Sequence, residues 1–357
     1  MRELLIGTKK GLFTLRGDGG GPFEVAGRAF EGDVVEYAMK DPRTGRYFAS
    51  VTSGFFGPRL MHSTDPTAPL DEWTHAASLA MPEDTGATLE RIWVVRRGER
   101  DGQLWAGIDP AALFESRDDG LTWSLNRGLW DQPGRADWNP GNGGLCLHSI
   151  ATWPGDPARL SLGISAVGYW STDDEGQTWE RSTTGIVPRY VPEEIRETTD
   201  AICVHNLHRA PLRPERLFMQ FHGGVYRSDD NGGAWTSIAD GLPSDFGFPI
   251  VGDPADPDSA FVIPMVADLD RVTVDGKVRV YETRDAGATW TARGDGLPGD
   301  DAYLTILRQA FDTDGEGAGL GLWFGATSGA VFGSVDAGVT WFTAAERLAP
   351  VTSVRVA

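Results

Sequence analysis

An octapeptide that returns five times constrains this chain more than any other feature. Its pattern is S/T-x-D-x-G-x-T-W. It reads Ser116-Arg117-Asp118-Asp119-Gly120-Leu121-Thr122-Trp123, and recurs from Thr172 to Trp179, Ser228 to Trp235, Thr283 to Trp290 and Ser334 to Trp341, with Ala234 replacing Thr in the third copy. A degenerate copy begins at Ser63-Thr64-Asp65 and reaches its tryptophan late, at Trp73; a weaker one puts Phe23 in that place. The seven aromatic anchors, residues 23, 73, 123, 179, 235, 290 and 341, are spaced by 50 to 56 residues. A period of this length marks repeated supersecondary units that share one core, and seven of them fill all 357 residues as a single domain, 1–357.

Each unit reads as four short strands. The fifth shows them as Ala201 to Leu207, Arg216 to Phe221, Gly224 to Ser228 and Trp235 to Ile238. Strand-length runs between Gly, Pro and Asp turns, at this period and with no sustained helical pattern, predict an all-β, seven-bladed β-propeller with four antiparallel strands per blade. The first unit lacks an innermost strand, and the last segment, Val351 to Val356, is a strand without a blade. The C-terminal strand is therefore expected to close the ring. The 46 glycines and 13 tryptophans fall into place as turn and anchor residues.

The octapeptide resembles the Asp-box, or BNR repeat, of sialidases, sortilin-type receptors, some xyloglucanases and a photosystem assembly factor. As a whole the chain resembles bacterial single-domain, BNR-repeat, glycosyl hydrolase-like proteins. The box has a structural role. Its Asp accepts hydrogen bonds from turn amides, its Gly supplies a positive φ, and its Trp packs between blades. The resemblance implies that these hairpins lie opposite the working face. That face would carry the loops from each fourth strand to the next blade and from each second strand to the third, including the long stretches 130–147, 185–202 and 241–249. Sialidases carry an F/Y-R-I-P motif ahead of the first box. Here no arginine before Ser63 is followed by Ile-Pro, so classical exo-sialidase activity is not expected.

The charge excludes other classes. With 51 acidic and 32 basic side chains the net charge is −19, which argues against nucleic acid and anionic membrane surfaces as partners. Only Cys146 and Cys203 are present, so there is no disulfide framework, and no apolar run suits a signal peptide or a spanning helix. A cytoplasmic protein is expected.

Aligning the units exposes one pair: Cys146-Leu147-His148 and Cys203-Val204-His205 sit at equal positions on the innermost strands of blades four and five. Residues at i and i+2 of a strand share a face, so each Cys and His project together near the central channel. At the end of the second strand the matched positions are Asp109, Ser165, His222 and Thr327. His148, His205 and His222 are candidate ligands of zinc or another divalent metal, a residue set that suits zinc with an open position. Equivalent residues on neighbouring blades point the same way rather than at each other, which favours a polar cluster without metal. Glu36, Glu90, Arg91, Asp109 and Asp245 join the three histidines as candidate catalytic residues, since glycoside hydrolysis needs two carboxylates across a pocket. Two functions stay open: a hydrolase acting on a carbohydrate or other small molecule at the channel mouth near blades three to five, or a non-enzymatic propeller binding a protein, a peptide or a metal-dependent ligand.

Overall fold

A computed structural model describes residues 1–357 except 142, 197–200 and 268. Seven four-stranded antiparallel sheets surround a central channel. The second to seventh blades are each built from consecutive strands; the fifth, for example, uses Val204–Arg209, Leu217–Phe221, Gly224–Ser228 and Thr236–Ser237. The first blade combines Arg2–Thr8, Gly11–Gly17 and Glu24–Ala29 with the C-terminal strand Val351–Val356. The expected closure of the ring is what the sheet order shows.

That closing strand is held from three sides. It pairs antiparallel with the first strand, Leu4 opposite Val356 and Ile6 opposite Val354. Gly7 is required where they meet, because a Cβ there would lie 2.3 Å from Ser353 Oγ. Thr352 Oγ1 donates to the Val35 carbonyl of blade two, and Val354 N–H to Gln309 O beside blade seven. The Arg355 side chain, buried in the channel, donates to Tyr37 Oη (3.0 Å), Gln309 O (3.0 Å) and Phe311 O (3.2 Å). One guanidinium thus satisfies buried acceptors from two blades.

The octapeptides form the hairpins between third and fourth strands. In the first copy Asp118 Oδ1 accepts from Leu121 N (3.1 Å) and Thr122 N (2.9 Å), and Oδ2 from Thr122 Oγ1 (2.6 Å). The copies at Asp174, Asp285 and Asp336 repeat the bonds from the Thr amide and hydroxyl, while Asp230, facing Ala234, keeps the amide bond without the hydroxyl one. Gly120 has φ +82°, but the preceding Asp119 is also left-handed at +58°, as are Glu175, Asn231, Ala286 and Ala337. Two successive positive-φ residues make this a tighter turn than one glycine alone would need. The tryptophans reach the preceding blade: Trp179 Nε1 donates to Asn126 Oδ1 (3.1 Å) and Trp290 Nε1 to Ile238 O (2.7 Å). Phe23 does the same by packing, 5.3 Å from the Trp323 ring.

Hydrogen bonds also cross the channel. Asn206 Nδ2 donates to Arg308 O (2.8 Å), Ser149 Oγ to Asn206 Oδ1 (3.1 Å) and Gln309 Nε2 to His148 O (2.6 Å). These links join blades four and five to the segment that enters blade seven. They divide the channel into a mouth on the side away from the octapeptides and a cavity of about 270 Å³ below, lined in part by Arg96, His208, Asp312 and Arg355.

The two kinds of contact carry different weight. Replacing Arg355 with Met strands several buried acceptors and should cost about 3 kcal/mol, whereas Asp336→Ala removes solvent-accessible turn bonds and should cost about 1 kcal/mol. Urea unfolding of both variants checks the ranking; equal costs would contradict it.

Candidate functional site

The mouth is a blind cup of about 410 Å³, lined by residues that include Tyr190, Cys203, His205, His222, Phe246, Phe248, Arg271 and Arg308. Its floor is the Asn206–Arg308 crossing. Blade five supplies Cys203 and His205, at the start of its inner strand, and His222, just past its second strand. His222 N–H donates to Cys203 O (3.0 Å), which brings the two strand ends together. The loop from blade five to blade six supplies Phe246 and Phe248. Buried Gln220 holds that loop, donating through Nε2 to Asp245 O (3.0 Å), Phe221 O and Gly224 O.

His205 is fully enclosed. Its Nδ1 lies 2.6 Å from the Gly247 carbonyl, so this nitrogen carries the proton and Nε2 keeps a lone pair. That lone pair faces His222 Nδ1 at 3.3 Å. Phe246 and Phe248 pack on the His205 ring at 5.5 and 4.7 Å, and Tyr190 packs edge-on to His222 at 4.6 Å. Tyr190 Oη in turn donates to Ala201 O and accepts from Cys203 N–H (2.9 Å), pinning its loop to blade five. Burial, then the nearby Arg308 charge, holds His205 well below the ordinary histidine value.

Arg308 is the cup's main charge. Its guanidinium stacks 4.6 Å from the Phe248 ring, and that of Arg271 lies 5.7 Å from the same ring. Arg308 Nε is buried with no hydrogen-bond partner, while the guanidinium meets the Cys203 side chain. Among the described residues no carboxylate lines the cup. Burial pulls the Arg308 pKa below the usual arginine value, and the like charge of Arg271 adds to that. The cup opens sideways, past Gly141, Ala166 and Ala201, into a cleft of about 480 Å³ that holds Trp138, Trp170 and Arg181. Trp138 and Trp170 pack at 5.2 Å, and Arg135 lies 4.5 Å from the Trp138 ring.

The structure brings only part of the sequence-derived set together. His205 and His222 share the cup with Cys203. His148 stands apart: Nδ1 faces Ser149 Oγ (3.1 Å) and Nε2 faces Ser165 Oγ (3.0 Å), so both ring nitrogens are engaged. The equal orientation of neighbouring blades explains why it does not meet His205. Glu36, Arg91 and Asp109 form a second cluster with Cys146. Arg91 pairs with Glu36 at 3.3 Å and stacks on Trp93 at 4.7 Å, and Cys146 Sγ donates to Asp109 Oδ2 at 3.3 Å. Burial raises both the Glu36 and the Asp109 pKa above the ordinary carboxylate value, with Arg91 opposing it. Glu90 is exposed, joined to this cluster by its amide, which donates to Asp109 O (2.8 Å). Asp245 sits on the rim, 3.9 Å from Arg189. In the long loops, Asn142 and residues 197–200 lie outside the described residues. Arg271 and Leu269 have no signal in the sequence, because their blade carries no motif there; Gly247 lies in the 241–249 loop, whose place on this face is expected but whose carbonyl contact is not.

No protein-family model matches the sequence, and no curated protein matches it. Solved structures show the same fold. An ancestral GH74 enzyme superposes with a TM-score of 0.58 at 14% identity, over 99% of this chain, which spans only 40% of that protein's length. YCF48 bound to D1 peptide gives 0.52 at 14% identity, covering 86% of this chain and 84% of that one. Apo AztD from Citrobacter koseri gives 0.55 at 10% identity, covering 100% and 98%. These neighbours include glycoside hydrolases and a peptide-binding propeller, and identities this low establish the propeller alone. No helix among the described residues is long and apolar enough to cross a membrane.

The buried imidazoles should make the fold acid-sensitive. Burial lowers His208, whose Nε2 has no partner, to about 4 from 6.5. The unfolded chain therefore binds a proton that the native chain refuses between those values. Stability should fall as pH drops from 6.5 to about 4, and His208→Gln should flatten that slope by a few kcal/mol across the window. Thermal melts at stepped pH measure it; an unchanged slope in the variant would assign the acid loss to other groups.

Proposed function

We propose that this propeller binds a carboxylate-bearing ligand at its channel mouth, an acidic sugar chain being the chemistry that suits the site best. The observation that carries this reading is Arg308. It is a guanidinium at the base of an aromatic-walled cup, with a buried, unpartnered Nε and no lining carboxylate among the described residues. A planar guanidinium offers paired N–H donors to a carboxylate, and a low-dielectric wall strengthens the attraction. Arg271 adds a second positive charge beside the same phenyl ring. The adjoining Trp138–Trp170 cleft extends the site beyond one small group, and indole faces suit the apolar faces of sugar rings. Exposed Phe55, Phe56 and Tyr303 lie on loops of the same face and would widen the contact for a larger ligand.

Calorimetric titration tests this with uronic-acid oligosaccharides, their neutral counterparts and an acidic peptide. Acidic sugars should bind wild type, neutral ones at least 10-fold more weakly, and Arg308→Met should lose about 2 kcal/mol. Trp138→Ala should weaken the oligosaccharide more than the monosaccharide. Equal binding of neutral and acidic ligands by wild type and Arg308→Met would overturn the reading, and exclusive binding of the acidic peptide would reassign the ligand.

A hydrolase reading rests on a different observation. Glu36 and Asp109, both raised in pKa by burial, flank Arg91, and a carboxyl whose proton is held more tightly than usual is what a general acid requires. It predicts turnover of aryl glycosides that Glu36→Gln or Asp109→Asn reduces at least 100-fold. No turnover across a broad panel in wild type would remove it.

A further inference from the structure

Three soft or borderline donor atoms converge at one wall of the cup. Cys203 Sγ and the facing nitrogens of His205 and His222 all lie within 4.8 Å of one another. We infer that Cys203, His205 and His222 form a binding site for a single transition-metal ion, zinc first, whose remaining coordination position opens into the cup.

The nitrogen pair carries the geometric argument. Two imidazole nitrogens each about 2.0–2.1 Å from a tetrahedral zinc lie about 3.4 Å apart. His205 Nε2 and His222 Nδ1 are 3.3 Å apart. The same distance suits one N–H···N hydrogen bond, so the pair alone does not distinguish a shared proton from a metal. The third donor favours the metal, because a hydrogen-bonded ring pair makes no use of the thiol beside it, whereas a metal takes it as a third ligand. A zinc-bound sulfur lies about 3.6 Å from such nitrogens, and Cys203 Sγ already lies within 4.8 Å of both.

The surroundings match what a metal ligand needs. His205 Nδ1–H is anchored on the Gly247 carbonyl at 2.6 Å, which fixes the tautomer and points Nε2 at the site. That carbonyl is itself placed by the loop that Gln220 holds. Phe246 packs on both rings, at 5.5 Å from His205 and 5.4 Å from His222. The ligand set comes from two strand ends of one blade, joined by the His222 N–H to Cys203 O bond, so it moves as a unit. Arg308 stands beside Cys203 and adds positive charge. A thiolate ligand and an anion in the open position would offset it, which links this site to the carboxylate pocket without depending on it.

Cobalt(II) provides the test, because it reports ligand type by colour. Protein stripped with a chelator is titrated with Co(II), then back-titrated with Zn(II), and bound metal is counted by mass spectrometry. One equivalent should bind, with tetrahedral d–d bands and a thiolate-to-cobalt charge-transfer band, and zinc should abolish both. Cys203→Ser should lose the charge-transfer band, His222→Ala should lose stoichiometric binding, and Cys146→Ser should keep both. The Cys146 variant and circular dichroism separate loss of ligand from loss of fold. Absence of stoichiometric metal in folded wild type overturns the inference, as does a charge-transfer band that survives Cys203→Ser. Uronate binding to the chelator-treated protein is measured separately, so a failed metal site and a failed carboxylate pocket give different results.

Discussion

The antiparallel pairing of Val351–Val356 with Arg2–Thr8 is the contact on which the rest of the molecule depends. A propeller has no internal turn that fixes its curvature; each blade packs only on its neighbours, and the ring is defined when the last meets the first. Here that junction is made by backbone pairing and is locked by Arg355, which reaches Tyr37 in blade two and the Gln309–Phe311 segment of blade seven. The side chain of Gln309 then spans to blade four. Closure and the partition of the channel are therefore one hydrogen-bonded system, and the floor of the mouth cup is its upper surface.

This coupling explains why the cup can hold costly groups. Arg308 and His205 are buried charged or chargeable side chains, and burial alone disfavours their ionised forms. A rigid ring offsets that cost elsewhere, through blade cores such as the one around Trp323, Phe324 and Trp341. The octapeptide hairpins contribute to the same rigidity from the opposite face, where their aspartates are largely solvated and their hydrogen bonds repeat with little variation.

The fold is readable in the sequence because its signal is periodic. Five near-identical octapeptides and two worn ones set the blade count, and the orphan strand at Val351 sets the closure. The second left-handed residue of each box, such as Asp119, gives no sequence signal, since ordinary side chains occupy it. The site is only partly readable, for a geometric reason. Cys203 and His205 announce themselves by an i, i+2 pattern, and His222 by its place after a strand, so the local half of the cup is visible. His148 carries the same motif but turns toward Ser149 and Ser165, since sequence alignment of blades preserves position and not meeting. Arg308, which leads into the innermost strand of blade seven, and the 241–249 loop that carries Gly247 are legible as facing the channel, but Arg271 is not, and no spacing in the chain encodes the convergence of all three.

The most direct test of the account is a crystal structure of the protein grown with a short uronic-acid oligosaccharide. The carboxylate is predicted within hydrogen-bond distance of the Arg308 guanidinium, with the sugar chain running toward Trp138. Density for the ligand at the octapeptide face, or a hydroxyl rather than the carboxylate at Arg308, would contradict it.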